Sequence, residues 1–187
     1  MHLQRAIEDF TVYLDAERGF SGNTIRSYRA DLTSLHEYAD TNGVTEAGEL
    51  SLELLRDWVW SGSQAGLAKS TLARRSAAAR GLTAWLTREG ELQTDVAVRL
   101  KAPKVDHHLP RVLSRTQIDG ILDGLASRVH PLGDAAHDAA HAAALRDLAI
   151  IELLYASALR VSELTGLDLA SVDLGRLTVR VLGKGSK

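Results

Sequence analysis

A chain of 187 residues, 45% hydrophobic and 25% charged, carries enough apolar material for one large or two small domains, and with no cysteine it excludes disulfides, thiolate metal sites and cysteine nucleophiles. Its net charge of -2 argues against a uniformly basic nucleic-acid binder, yet Asp57 to Glu89 enclose no acidic residue while Lys69, Arg74, Arg75, Arg80 and Arg88 all fall there. No apolar run approaches the roughly 20 residues of a membrane span, and Met1-His2-Leu3-Gln4-Arg5 opens without a signal-peptide layout, so the expected location is the cytoplasm.

Leu3, Ile7, Phe10 and Leu14 recur at helical spacing and predict a first helix that ends before Gly19. Ser21 and Asn23 are caps for a second, with Ile25, Tyr28, Leu32, Leu35 and Ala39 inward and a stop at Asn42-Gly43. A short third helix follows Glu49-Leu50-Ser51 and carries Leu52, Leu55 and Val59. Ser70 is the expected cap of a fourth, Thr71 to about Arg88, whose apolar arc is Leu72, Ala79, Leu82 and Leu86. Four helices joined by short turns make a bundle, and Trp58, Trp60 and Trp85 are read as its packing. Thr71, Arg74 and Arg80 lie off the centre of the arc, free to meet phosphates or groove edges, whereas Arg75 projects into it on an ideal wheel. A solvated helical face is the plainer reading of the same residues.

After Gly90 the periodicity breaks. Leu100 to Pro110 holds two of the three prolines in a polar run and predicts an extended interdomain linker over 100–112. Ser114 caps the next helix, which should bury Ile118, Ile121, Leu122 and Leu125. His137 and His141 then stand one helical turn apart beside Asp134 and Asp138, a spacing compatible with a metal but lacking a third ligand; a solvated, partly helical loop is the simpler expectation for 127–144. From Arg146-Asp147 a buried helix, Leu148 to Tyr155, runs toward Arg160. An arginine at the end of so apolar a helix asks for an anion, and either Glu163 or a phosphate would serve. Leu167 to Gly175 reads as a connection and Leu177 to Leu182 as the first strand of a hairpin, with Lys184 at its turn between Gly183 and Gly185. Lys187 closes the chain directly after that turn. A lone strand is a poor stopping point, so the chain is expected to be the front part of a longer protein.

The order Leu-Tyr-x-x-x-Leu-Arg-x-Ser-Glu-Leu-x-x-Leu at 154–167, followed by Val-Leu-Gly-Lys-Gly-Ser-Lys at 181–187, resembles the tyrosine recombinases of the phage-integrase family and, within them, the Xer branch. Trp85-Leu86 followed by Arg88-Glu89-Gly90-Glu91-Leu92 leans toward the XerC-like subgroup. Ala158 departs from the pattern, which more often has glycine before Leu-Arg. The resemblance implies a mainly α fold, in which an N-terminal four-helix SAM-like core-binding bundle (1–99) precedes the first part of an α+β, mostly helical, recombinase catalytic domain (113–187). It also implies Arg160 and Lys184 as catalytic cations, Glu163 as their support, and contacts to DNA from Thr24, Thr71, Arg74, Arg75, Arg80 and Lys187.

In this family a tyrosine hydroxyl attacks a DNA phosphate to leave a 3′-phosphotyrosyl link, with no metal and no cofactor. The expected partners are a double-stranded DNA recombination site and a second, XerD-like subunit in a heterotetramer, with no membrane. The family's His-x-x-Arg and nucleophilic tyrosine have no counterpart here, since Tyr13, Tyr28, Tyr38 and Tyr155 all fall in predicted helices. The chain alone is therefore expected to be catalytically incomplete. Two rival roles are a phage or mobile-element integrase and a truncated, purely DNA-binding subunit.

Overall fold

In the computed structural model, which describes residues 1–104, 112–129, 135–181 and 183 (backbone alone for 135–138), the apolar positions Leu3, Ile7, Phe10 and Leu14 fall on the buried face of α1, Leu3–Ala16. Gly19, at φ +59°, turns the chain out of it in a conformation that glycine adopts without steric cost. Ser21 caps α2, Gly22–Thr41, by accepting the Thr24 N–H. Ser51 does the same for α3, Leu52–Gln64, through the Leu54 N–H. The next helix, α4, Lys69–Arg88, starts earlier than expected. Its cap is Ala68, with no side-chain hydrogen bond, and Ser70 sits inside the first turn.

These helices belong to the first of two compact units, Met1–His108 and Leu109–Lys187. In the first, α1 packs on α2, α3 packs on α4, and α2 and α4 meet across the middle. Phe10, Leu32, Leu35, Leu55, Trp58, Leu82 and Leu86 are almost wholly removed from water. Each such side chain contributes about 1.5–3 kcal/mol. Trp58 is packing as expected, but Trp60 is not: two positions on, it points away from the core and is 64% exposed.

Beyond Gly90 the chain does not leave the bundle. Leu92, Ala97 and Leu100 are buried in the same core, and the Thr83 hydroxyl donates to Asp95 Oδ1 at 2.6 Å while Asp95 also accepts the Ala97 N–H at 3.0 Å. Leu100 thus belongs to the bundle rather than to an extended linker.

In the second unit Ser114 caps α5, Arg115–Ala126, in a reciprocal box. Its hydroxyl accepts the Gln117 N–H at 3.3 Å, and the Gln117 side chain accepts the Ser114 N–H at 2.9 Å. The following helix, α6, spans Ala135–Ser157 and so begins well before Arg146, inside the stretch expected to be a partly helical loop. Alanine-rich sequence is strongly helix-forming, which explains the extension.

Neither helix is buried as expected. Ile121 is 40% and Tyr155 57% exposed, while Ile118, Leu122, Leu125, Leu148, Ile150, Ile151, Leu153 and Leu154 are half-buried. The reason is geometric: among the described residues α6 packs chiefly against α5 and α7, Val161–Thr165, leaving much of its circumference uncovered.

The strand expected to lack a partner has one upstream. Val172–Asp173 (β1) pairs antiparallel with Thr178–Val179 (β2), Val172 opposite Val179 and Asp173 opposite Thr178, across a turn in which Asp173 Oδ1 accepts the Arg176 N–H. The expected connection thus contains a strand, and the described strand is shorter than Leu177 to Leu182.

Candidate functional site

The junction of α6 and α7 sets the position of Arg160. Just past the end of α6, Ala158 takes φ +51°, a left-handed conformation unusual for a side-chain-bearing residue, and α7 begins three residues later at Val161. Arg160 then becomes the N-cap of α7. Its own N–H donates to Glu163 Oε2 at 2.8 Å, and its guanidinium Nη1 donates to Glu163 Oε1 at 2.6 Å.

Both carboxylate oxygens of Glu163 are thereby occupied by one residue, which fixes the arginine's backbone and fork together. The Arg160 N–H, and then its guanidinium, hold the Glu163 carboxyl below the ordinary glutamate range. The arginine itself is not buried. Its side chain is 71% exposed while that of Glu163 is 12% exposed. The need for an anion is met by Glu163 from beneath, and the remaining N–H donors face outward, open to a second anion. Lys184, the other expected catalytic cation, and Lys187 lie outside the described residues, as do Asp134, His137 and Asp138 as side chains. Among the described residues no group of His, Asp and Glu side chains is placed to hold a metal.

The basic run of α4 is largely committed internally. Arg74 is pinned by a two-point bond to Asp31 on α2, Nε to Oδ2 at 2.8 Å and Nη2 to Oδ1 at 3.1 Å. Arg74 keeps 43% of its side-chain surface while Asp31 keeps 4%. The bond to Asp31 keeps the guanidinium protonated more firmly than that of a free arginine. Arg75 turns inward. It donates to Ser34 Oγ at 3.0 Å and lies over the Trp58 ring at 5.2 Å from its centre, a cation–π contact. Arg80 donates to the Leu100 carbonyl at 2.9 Å, and Arg88 to the Tyr13 hydroxyl at 2.8 Å and to Glu89.

Thr71 is half-buried in the first turn of α4, one turn before Arg74. Thr24 pairs its hydroxyl with Ser21 at 2.9 Å, two turns from Asp31 and so about 10 Å along α2. Arg74 and Thr71 are therefore brought to one helix face, Arg75 and Arg80 are drawn into the bundle, and Thr24 stands apart. Asp31, Ser34 and Trp58, which hold the arginines, were not singled out from sequence as site residues. The available signal was an aspartate beside the core position Leu32, facing a run with no acid of its own.

Residues 7–90 match the phage integrase N-terminal SAM-like domain, and residues 113–187 match the phage integrase family. The chain is 43% identical over 187 residues to the tyrosine recombinase XerC of Mycobacterium sp. (strain JLS), taking in 99% of this chain and 59% of that protein. It is 40% identical over 185 residues to the XerC of Mycobacterium tuberculosis (strain ATCC 25177 / H37Ra), again with 99% and 59% covered. The chain thus spans about three-fifths of the length of the curated relatives it matches. In fold it resembles a lambda integrase dimer solved on a COC′ core site, at a TM-score of 0.72 and 14% identity, over 100% of this chain and 60% of that one.

Proposed function

Because the chain belongs to the phage integrase family, we propose that it is the N-terminal three-fifths of a site-specific tyrosine recombinase of XerC type, which cuts and rejoins duplex DNA through a 3′-phosphotyrosyl intermediate. The observation that carries the reading is Arg160. An outward-facing guanidinium, held by Glu163 at two points, stands at the start of α7 within Leu-Arg-Val-Ser-Glu-Leu.

A planar fork so fixed suits the non-bridging oxygens of a phosphodiester as negative charge builds on them, and it needs no reorganisation when the charge arrives. The P–O bond to the 5′ oxygen breaks as the tyrosine oxygen bonds to phosphorus. Lys184 supplies the proton that the departing 5′ oxygen takes up, leaving a 5′-hydroxyl. The energy of the broken bond is kept in the phosphotyrosyl link, so the reverse attack by a partner strand's 5′-hydroxyl needs no other energy source.

The nucleophilic tyrosine comes from outside residues 1–187. Thr24, Thr71, Arg74 and Lys187 meet the DNA backbone, and Arg75 and Arg80 act on that contact from inside the bundle. A XerD-like second subunit completes a heterotetramer on the recombination site, and the role is resolution of chromosome dimers at cell division, in the cytoplasm.

A nicked suicide duplex, which traps the covalent intermediate, tests this. The polypeptide of full family length should form an adduct, residues 1–187 alone should form none, and Arg160→Ala in the longer protein should slow adduct formation on the order of 10²–10³-fold. An adduct from residues 1–187 alone, or an unchanged rate in the variant, would overturn it.

A further inference from the structure

One carboxylate in the first unit serves two guanidiniums. Asp31 accepts two hydrogen bonds from Arg74, and its Oδ1 also lies 3.7 Å from Arg75 Nε. That Nε is buried and, among the described residues, has no hydrogen-bond partner. Counting charge, the cluster holds two cations against one anion, with Asp31 4% and Arg75 15% exposed. Of the two guanidinium side chains, Arg74, at 43% exposure, is the one mainly presented to solvent.

Arg75 cannot retreat from the cluster. Trp58 lies against its guanidinium and Ser34 accepts its Nη2, while Gly62 on α3 is so close that a Cβ there would meet Arg75 Nη1 at 2.9 Å. Arg74 in turn uses Nε and Nη2 on Asp31, so of its five N–H donors the edge carrying Nη1 is left to point outward, on the helix face it shares with Thr71.

A floor of this kind is what a surface arginine ordinarily lacks. A free guanidinium at 43% exposure samples many rotamers and loses that freedom on meeting a phosphate. Here the rotamer is set in advance, and the second, buried guanidinium offsets the partial neutralisation that Asp31 would otherwise impose.

We propose that Asp31 is a positioning residue for DNA: clamped beneath Arg74 and Arg75, it fixes the outward N–H edge of Arg74 to receive one backbone phosphate, with the surplus charge of Arg75 behind it. The proposal rests on the reading of Arg74 as a phosphate contact given above.

The test is equilibrium binding of the intact chain to a fluorescein-labelled duplex of mixed sequence, measured by anisotropy across a salt series, with thermal unfolding of each variant run alongside. Arg74→Ala should lower the slope of log K against log salt by about 0.9, the increment that one neutralised phosphate supplies. An unchanged slope in that variant would remove the phosphate reading itself and this proposal with it.

Arg74→Lys keeps the charge but cannot bridge both Asp31 oxygens with a planar fork. It should retain the wild-type slope and bind several-fold more weakly. Asp31→Asn should weaken binding by a similar factor, and the same change made on top of Arg74→Ala should cost nothing further.

If Arg74→Ala lowers the slope but Asp31→Asn binds as tightly as wild type or tighter, the contact stands and the positioning role is overturned. The positioning role falls equally if the Asp31→Asn loss persists undiminished in the Arg74→Ala background, because the aspartate then acts on the fold at large. Arg74→Lys is decisive by itself where Asp31→Asn fails to fold: binding equal to wild type would overturn the proposal.

Discussion

The two units use similar apolar material to different ends. In the first, 21 hydrophobic side chains between Leu3 and Leu100 are buried; in the second, among the described residues, only Ala144 is. The apolar positions of α5 recur at helical spacing much as those of α1 do, yet with Ile150 and Ile151 of α6 its Ile121 and Leu125 wall an open hollow of about 590 Å³. Periodicity shows which face of a helix is apolar. Whether that face is covered depends on what else the same chain brings to it, and the first unit supplies its own cover while α5 and α6 supply only part of theirs.

All three tryptophans lie in the first unit, so indole fluorescence during denaturant unfolding reports on that unit alone and can set the contrast out quantitatively. Leu82→Ala should have the largest effect, destabilising the fluorescence transition by about 2–5 kcal/mol, because the vacated volume at a fully buried site refills poorly. Gly62→Ala should cost about 1–3 kcal/mol in the same measurement, since the new methyl would press on Arg75, Leu67 and Leu72.

Leu154→Ala in half-covered α6 should leave the fluorescence transition where it is and lower the helical circular-dichroism signal's stability by less than about 1.5 kcal/mol. A larger loss would mean that α6 is better covered than the contrast supposes.

The smallest effect is the pH response of the α7 cap. Glu163 has a lowered pKa in the folded state, so its contribution is complete above the ordinary glutamate value of 4.5 and disappears as pH falls through the lowered folded value. An NMR titration should show the α7 amides shifting below pH 4.5, and Arg160→Ala should return the Glu163 midpoint toward 4.5. A midpoint unmoved by that change would mean that the backbone N–H at position 160, which alanine keeps, accounts for the depression without the guanidinium.

Much of the first unit was legible because local and tertiary signals agree there. Ser21 and Ser51 are caps by sequence and by hydrogen bond, and Leu32, Leu35, Leu82 and Leu86 fall inward as their spacing demands. Three features were not legible, each for its own reason. Ser70 fails as a cap because the helix finds a start two residues earlier, where Ala68 can take extended backbone angles. Leu100 reads as the start of the 100–112 linker because the stretch after Gly90 lacks any period, although Leu92, Ala97, Leu100 and Asp95 suffice to bind that stretch to the bundle. Arg74 and Arg80 read as a surface face because their partners, Asp31 and the Leu100 carbonyl, are 43 and 20 residues away in sequence, whereas Arg75 turns inward as its place on the helical wheel indicates. For the candidate site the motif around Arg160 and its link to Glu163 were visible, but the exposure of that arginine was not. It depends on the turn that precedes it.

That turn has a consequence for sequence drift. An L-residue held at φ +51° at Ala158 costs on the order of 1–2 kcal/mol, and glycine would relieve it. Glycine would also give the unfolded chain more freedom to lose, by about 0.5–1 kcal/mol. The two contributions oppose each other and the strain is the larger, so glycine at position 158 is favoured by only about 0–1.5 kcal/mol. A lineage can cross between them without losing the fold, and what alanine adds is a stiffer elbow that narrows the directions in which the guanidinium beyond it can swing.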